Sequence, residues 1–223
     1  MNGRTISDAV NEQGWRYILG TLRTAVSVPS LDEAVKVAAE CSRAAGDLGR
    51  HVLLDVRAHT VILTVLSPDT ASLTAEDIDL ARRLSEAVTT SGRQMTAAGA
   101  TLRSVQTLEI AIDAMDIPLI RPFWKAVLGY VDEADTSVVT DPLVDPLGQG
   151  PAIWFQQMDL PRTQRNRIHV DVSVPHDEAT PRIEAALSAG GVLRSDARAP
   201  AFWVLADPEG NEACITTWQG RDS

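Results

Sequence analysis

Cysteine is scarce: Cys41 and Cys214 are the two thiols of the chain, and they lie far apart. Two such residues make no disulfide framework and fit a reducing cytoplasm, which is the expected compartment. No apolar run reaches the roughly 18 residues of a membrane helix, so no membrane span is expected. The first residues, MNGRTISDAVNEQG, are polar and lack the apolar centre of a signal peptide. Positive charge is in deficit, with 20 Lys and Arg against 30 Asp and Glu and a formal net charge of -10. That balance argues against a non-specific grip on nucleic acid or anionic lipid. A phosphate-cradling Gly-rich loop, a G-x-S-x-G elbow and a C-x-x-C knuckle are all missing. Nucleotide-dependent, serine-hydrolase and zinc-finger chemistries are thereby removed.

What is present is an ordinary apolar fraction, 44% over 223 residues, enough for one large core or two small ones. The stretch Thr89 to Ser104 (TTSGRQMTAAGATLRS) is small and polar and reads as a linker or a frayed helix end. It sets a domain boundary near residue 100, giving domains 1–100 and 101–223. Ahead of it, Ser30-Leu-Asp-Glu33 is a capping-box pattern, in which Ser30 accepts from the Glu33 amide and Glu33 reaches back. The helix that follows places Val35, Ala38, Ala39 and Ser42 on one face and ends near Gly46. Thr74-Ala-Glu-Asp77 repeats the cap more weakly, before a stripe of Ile78, Leu80, Ala81, Leu84 and Val88. His51 to Val56 and Thr60 to Leu66 read as strands, and Trp15 to Leu19 with Leu22 to Val28 as a hairpin around Gly20 and Thr21. The order is helix, two strands, helix, two strands, helix, an α+β arrangement.

Past the boundary, Leu108 to Ile112 alternates as a strand, and Ile117 to Gly129 reads as a helix with Pro118 in its first turn and Gly129 at its end. Ser137 to Thr140 and Ala152 to Gln157 are two further strands. The theme then recurs: strand Arg167 to Val174, helix Asp177 to Ala189 stopped by Gly190-Gly191, and strands Val192 to Ser195, Phe202 to Ala206 and Glu212 to Trp218. A βαβββ unit repeating at roughly 60 residues is expected to set the architecture of this half.

Strand alternation puts His169 and Asp171 on one side and Ile168, Val170 and Val172 on the other. The apolar side belongs against helices, so His169 and Asp171 are expected to face the interior of the curved sheets. There a His–carboxylate pair can orient an imidazole as a general base or hold a ligand, or be a hydrogen-bonded structural pair. Five Trp against three Phe and two Tyr is an uncommon ratio. Trp154, Trp203 and Trp218, with Phe155 and Gln156, fall in the cavity strands and suit a planar or aromatic small ligand, though each also serves as core. Arg162, Arg165 and Arg167 precede the His169 strand, where they clamp an anionic group or remain solvated loop charge. His176, after Pro175, reads as surface.

Three segments carry a resemblance: Phe123-Trp-Lys-Ala-Val-Leu-Gly-Tyr130, Asp207-Pro-Glu-Gly-Asn-Glu212 and Arg167-Ile-His-Val-Asp171. They are similar to the F-Y-x-x-x-L-G-[FY] helix end, the D-P-x-G-N turn and the second-repeat strand of the vicinal-oxygen-chelate superfamily, closest to its glyoxalase-like members. The resemblance implies paired βαβββ repeats, lyase or isomerase chemistry on a small molecule, and a homodimer. It also implies divalent-metal ligands near Glu109, Gln156, His169 and Cys214, with Glu212 on the same strand face as Cys214 and able to stand in for the missing final carboxylate. A metal-free cavity lined by the same face is the other reading, in which the protein sequesters a metabolite or drug.

Trp15, the helix around Ala38 to Glu40, and Leu73-Thr-Ala-Glu-Asp-Ile-Asp-Leu-Ala81 resemble pterin-4a-carbinolamine dehydratase, whose fold is an α/β sandwich. That family removes water from a 4a-hydroxytetrahydropterin with an HHP turn and a third His. Here the HHP position reads Arg50-His51-Val52 and the third falls at about Pro68. His51 is the retained catalytic position, Arg50 cannot shuttle a proton, and His59 lies near the next strand as a stand-in. The resemblance implies a module that keeps the frame and has lost most of the chemistry.

Overall fold

The computed structural model describes residues 1–70, 72–96, 105–134, 140–162, 164 and 168–220. It divides into two compact units, Met1–Thr107 and Leu108–Ser223. Each has its own apolar cluster and is α+β. None of the described helices is long and apolar enough to cross a membrane.

The first unit begins with α1 (Gly3–Val10), where the Asn2 side chain accepts the Thr5 N–H at 2.9 Å. Strands β1 (Arg16–Ile18) and β2 (Thr21–Ser27) form the expected hairpin, followed by α2 (Leu31–Ala45). Ser30 caps α2 by accepting the Glu33 N–H at 3.3 Å. Glu33 does not reach back as the capping box predicts; its carboxylate pairs with Lys36 and Arg93 instead. A charge-assisted pair with two cations outcompetes a bond to one backbone amide. The buried face of α2 is Ala34, Val37, Cys41 and Ala45, not the Val35 face expected, and Val35 is exposed. Small residues satisfy both patterns, and packing against the sheet selected the one carrying Val37 and Cys41.

A short 3-10 turn (Gly46–His51) leads into β3 (Val52–Arg57) and β4 (Thr60–Val65), then α3 (Ala75–Thr90) and β5 (Met95–Thr96). The helix stripe Ile78, Leu80, Ala81, Leu84 and Val88 is buried as the periodicity predicts. The antiparallel sheet runs β1-β2-β4-β3, with β5 on β2. Thus Thr89 and Thr90 are helical, residues 91–94 form a turn and an irregular stretch, and Met95 and Thr96 form a strand; residues 97–104 of the proposed linker lie outside the described residues. Trp15 is fully buried, and its indole N–H donates to Ser85 Oγ at 2.9 Å, tying the hairpin to α3.

The second unit contains the βαβββ theme twice. The first repeat is β6 (Glu109–Ala114), α4 (Ile117–Leu128), β7 (Val131–Asp132), β8 (Leu143–Val144) and β9 (Ala152–Gln157), in the order β6-β9-β8-β7. The second is β10 (Val170–Ser173), α5 (Ala179–Ser188), β11 (Val192–Arg198), β12 (Phe202–Ala206) and β13 (Glu212–Thr216), in the order β10-β13-β12-β11. In both, the first strand is an edge and pairs in parallel with the last. The strand expected at Ser137 to Thr140 falls largely on residues 135–139, outside the described set.

One cluster unites the repeats: Ile112, Phe123, Ile153 and Phe155 from the first pack with Ala186, Leu205, Ala213 and Ile215 from the second. Gly129, at φ +69, closes α4 in the left-handed conformation glycine tolerates. Gly191 does more than stop α5: a Cβ there would lie 2.4 Å from the Phe123 ring and 2.8 Å from the Ala186 carbonyl oxygen. Its missing side chain is what lets the two repeats close together.

Candidate functional site

The turn Asp207-Pro-Glu-Gly-Asn211 is built around a buried carboxylate. Asp207 Oδ1 accepts the N–H groups of Glu209 and Asn211, both at 2.9 Å. Its Oδ2 accepts Asn211 Nδ2 at 2.8 Å and the indole N–H of Trp124 at 3.0 Å. The turn of the second repeat is thus fastened to α4 of the first. It projects Glu209, whose two oxygens accept the backbone N–H groups of Met115 and Asp116 at 2.8 and 2.6 Å. Those amides precede α4, where a carboxylate is favoured by the helix dipole.

Beside this lock, between the edge strands β6 and β10, lies a crevice of about 830 Å³. Its apolar wall includes Met115, Leu119, Trp124, Met158 and Ile168; its charged side chains are Asp113, Asp116, Arg162, Glu209 and Glu212. Asp113 and Arg162 pair at 2.8 Å. The volume is in the range of small-molecule sites.

The residues expected to act at the C-terminal site are dispersed. His169 precedes β10 and is exposed; Asp171 is exposed on β10, while Val170 and Val172 pack into the core. Asp171 is the register partner of Cys214, and Ser173 Oγ lies 2.8 Å from Thr216 Oγ1. Glu109 opens β6 opposite Ala152, and Glu212 opens β13 opposite Ala206. Among the described residues no three His, Cys, Asp or Glu side chains come together as a metal would require. The described donors therefore do not fit the chelate that the resemblance implies. Glu109 adds instead to a carboxylate group: burial raises the pKa of Glu133, and Asp141 and Glu109 raise it further.

Strand parity divides Trp203 from Trp154, and Trp218 lies past the end of β13, which stops at Thr216 rather than running to Trp218 as expected. Trp203 is the register partner of Ile215 and packs on the core side of its sheet. Trp154 and Gln156 face outward on β9, and Trp218, 61% exposed, lies edge-on to His176 with its N–H 3.4 Å from Nδ1. None of the three Trp is in the crevice wall, where Trp124 stands instead. Trp124 is 2% exposed and part of the core cluster as well as the crevice lining, and its bond to Asp207 spans 83 residues. Arg167 and Arg165 lie outside the described residues.

In the first unit His51 is buried, and its Nδ1 lies 2.7 Å from Asp77 Oδ1. Asp77 is itself fully buried, and its Oδ2 accepts the N–H and O–H of Thr74 at 2.7 and 2.9 Å. The Asp77 carboxylate thus serves the helix cap with one oxygen and His51 with the other. The sequence pattern marks Asp77 only as part of the cap. The signal available was an acidic residue at a capping position, Asp77. Arg50 is exposed and paired with Asp69. His59 sits in the β3–β4 turn, the length of β3 away from His51, roughly 20 Å for a strand of six residues. The stand-in role for His59 is thereby removed.

Residues 109–216 match the family model for the glyoxalase-like domain, and residues 1–87 that for pterin 4 alpha carbinolamine dehydratase. No curated protein matches the sequence. Among solved structures, a glyoxalase/bleomycin resistance protein/dioxygenase family enzyme from Burkholderia phytofirmans PsJN is similar at 19% identity and TM-score 0.41, over 49% of this chain and 95% of its own. A glyoxalase-related enzyme from Fulvimarina pelagi is similar at 19% identity and TM-score 0.40, over 51% and 88%. Fosfomycin resistance protein FosX from Listeria monocytogenes, solved as a mutant with Mn(II) and 1S,2S-dihydroxypropylphosphonic acid, is similar at 13% identity and TM-score 0.40, over 52% and 95%. The chain thus joins a region similar to the pterin 4 alpha carbinolamine dehydratase family, residues 1–87, to one similar to the glyoxalase-like domain family, residues 109–216.

Proposed function

We propose that the glyoxalase-like unit binds a small organic molecule in the crevice beside Glu209, and works as a binding module rather than as a metal-dependent lyase or isomerase. The observation that carries this reading is the contrast between a crevice of small-molecule size and, among the described residues, a dispersed ligand set. The crevice offers Met115, Leu119, Met158 and Ile168 as apolar lining, and the D-P-E-G-N turn holds its shape through four bonds to Asp207. Binding of a small molecule requires such a preformed wall; chelate chemistry requires donors that converge. A small-fragment library screened by ligand-observed NMR tests it. Hits are expected to persist in EDTA and to be lost in Leu119→Arg, an exposed position in the wall. Hits that vanish with EDTA, or that ignore the Leu119 change, would overturn the reading. The same reading has the protein act as a homodimer, which sedimentation at working concentration checks.

A second reading is favoured by one observation, the buried His51–Asp77 pair. Asp77 accepts from Thr74, so its carboxylate is an acceptor toward His51 as well, and the imidazole then carries its proton on Nδ1. That leaves a lone pair on Nε2 for general-base work in removing water from a 4a-hydroxytetrahydropterin. Direct assay with that substrate tests it. Turnover abolished in His51→Ala supports the reading, and turnover insensitive to the change excludes it.

A further inference from the structure

We infer that the outward face of α2 is a self-association surface, on which a second copy of this chain packs its own α2 in the antiparallel sense. The inference rests on the homodimer proposed above and not on the crevice. α2 carries two apolar stripes. One, with Ala34, Val37, Cys41 and Ala45, is buried within its own unit. The other, with Leu31, Val35, Ala38 and Ser42, lies about a quarter-turn further round the helix. Leu31 and Val35 on it are 53% and 54% exposed. The neighbouring helix α3 shows what a solvated face looks like: its exposed positions include Glu76, Asp79, Arg82, Arg83, Glu86 and Thr89. A contiguous apolar stripe left in water marks a contact surface.

The stripe is complementary to itself. About a two-fold axis near Val37, Leu31 of each copy meets Ser42 of the other, and Val35 meets Ala38. Large side chains then sit over small ones, which lets two helix axes approach closely. The flanking charges agree with this pairing. Asp32 and Arg43 are eleven residues apart, about three turns, and so lie on one flank of the stripe. Both are exposed, and neither enters an ion pair among the described residues. Lys36 between them is already paired with Glu33. An antiparallel pair sets Asp32 of each copy against Arg43 of the other, twice by symmetry. A parallel pair would set like charges together at both ends. A helix of 15 residues is about 22 Å long, so the contact is small and the dimer reversible.

Sedimentation equilibrium of the full chain tests this. The unaltered protein is expected to show a monomer–dimer equilibrium. Val35→Glu is expected to raise the dissociation constant at least about tenfold, because it forces a charge into the contact. Asp32→Arg and Arg43→Asp each create two like-charge pairs and are expected to raise it about fivefold. Mixed together, those two charge variants are expected to prefer the heterodimer, where both pairs are again opposite in sign. Native mass spectrometry counts the species, and a change in helix stability cannot produce that preference. All three positions are exposed, and circular dichroism checks that each variant is folded. A dimer indifferent to the three changes, or a mixture with no heterodimer preference, overturns the α2 pairing and leaves the homodimer standing on another surface. A chain that stays monomeric overturns the pairing and the homodimer together, and leaves the crevice to the fragment screen.

Discussion

The indole N–H of Trp124 donates to Asp207 Oδ2 at 3.0 Å, across 83 residues of sequence. This bond joins the helix of the first βαβββ repeat to the turn of the second, and both groups are buried. Asp207→Ala removes the acceptor of four donors at once. A cost of about 3 kcal/mol is expected, since hydrogen bonds to a charged buried group contribute more than neutral ones. Urea unfolding followed by far-UV circular dichroism measures it, and a loss below about 1 kcal/mol would contradict the role assigned to the turn.

Gly191 faces the Phe123 ring and the Ala186 carbonyl at distances no side chain accepts. Gly191→Ala is expected to cost about 2 kcal/mol through overpacking. Phe123→Leu in the same background should return part of the loss, because it withdraws the atoms that clash. Thermal unfolding of the single and double variants checks this; simple additivity of the two costs would count against the contact.

His51 is expected to carry its proton on Nδ1, because Asp77 accepts from Thr74 and serves as an acceptor toward the ring. Long-range ¹H–¹⁵N correlation of the imidazole distinguishes the tautomers directly. A spectrum with the proton on Nε2 would remove the general-base geometry from the first unit. In Asp77→Asn the preference should be lost, since the side chain can then present either a donor or an acceptor.

Glu133 has its pKa raised, first by burial and then by Asp141 and Glu109. A carboxyl whose folded pKa lies above its unfolded value favours the folded state at low pH, and this contribution is lost as pH rises through the folded pKa. Glu133→Gln should therefore stabilise the protein above that pKa and change little below the ordinary range of glutamate, about 4.3. The gain expected is under about 1 kcal/mol after solvent screening. Unfolding midpoints of both forms between acid and neutral pH test the sign; a variant less stable at neutral pH would contradict it.

Local patterns in the sequence carried much of the fold. The stripe of α3, the caps at Ser30 and Thr74, the glycine at the end of α4 and the recurrence of strand-helix-strands all depend on residues within one or two turns of each other. The buried face of α2 is not legible locally because alanine is compatible with either side of a helix, and the sheet packed on it makes the choice. Trp154, Trp203 and Trp218 are expected together in the cavity strands, yet register sends Trp203 to the core, parity leaves Trp154 exposed on β9, and β13 ends before Trp218.

By itself, then, the sequence determined the two α+β units, the doubled βαβββ theme and the retention of a single dehydratase-position histidine, because periodicity, caps and turn residues act over short separations. The tertiary structure alone decided which side chains meet. It brought Asp77 to His51 and Trp124 to Asp207, set Glu209 across from the start of α4, and kept Glu109, His169 and Glu212 from converging. Those outcomes depend on strand order, register and the close approach at Gly191, which arise from packing between distant segments and leave no local trace.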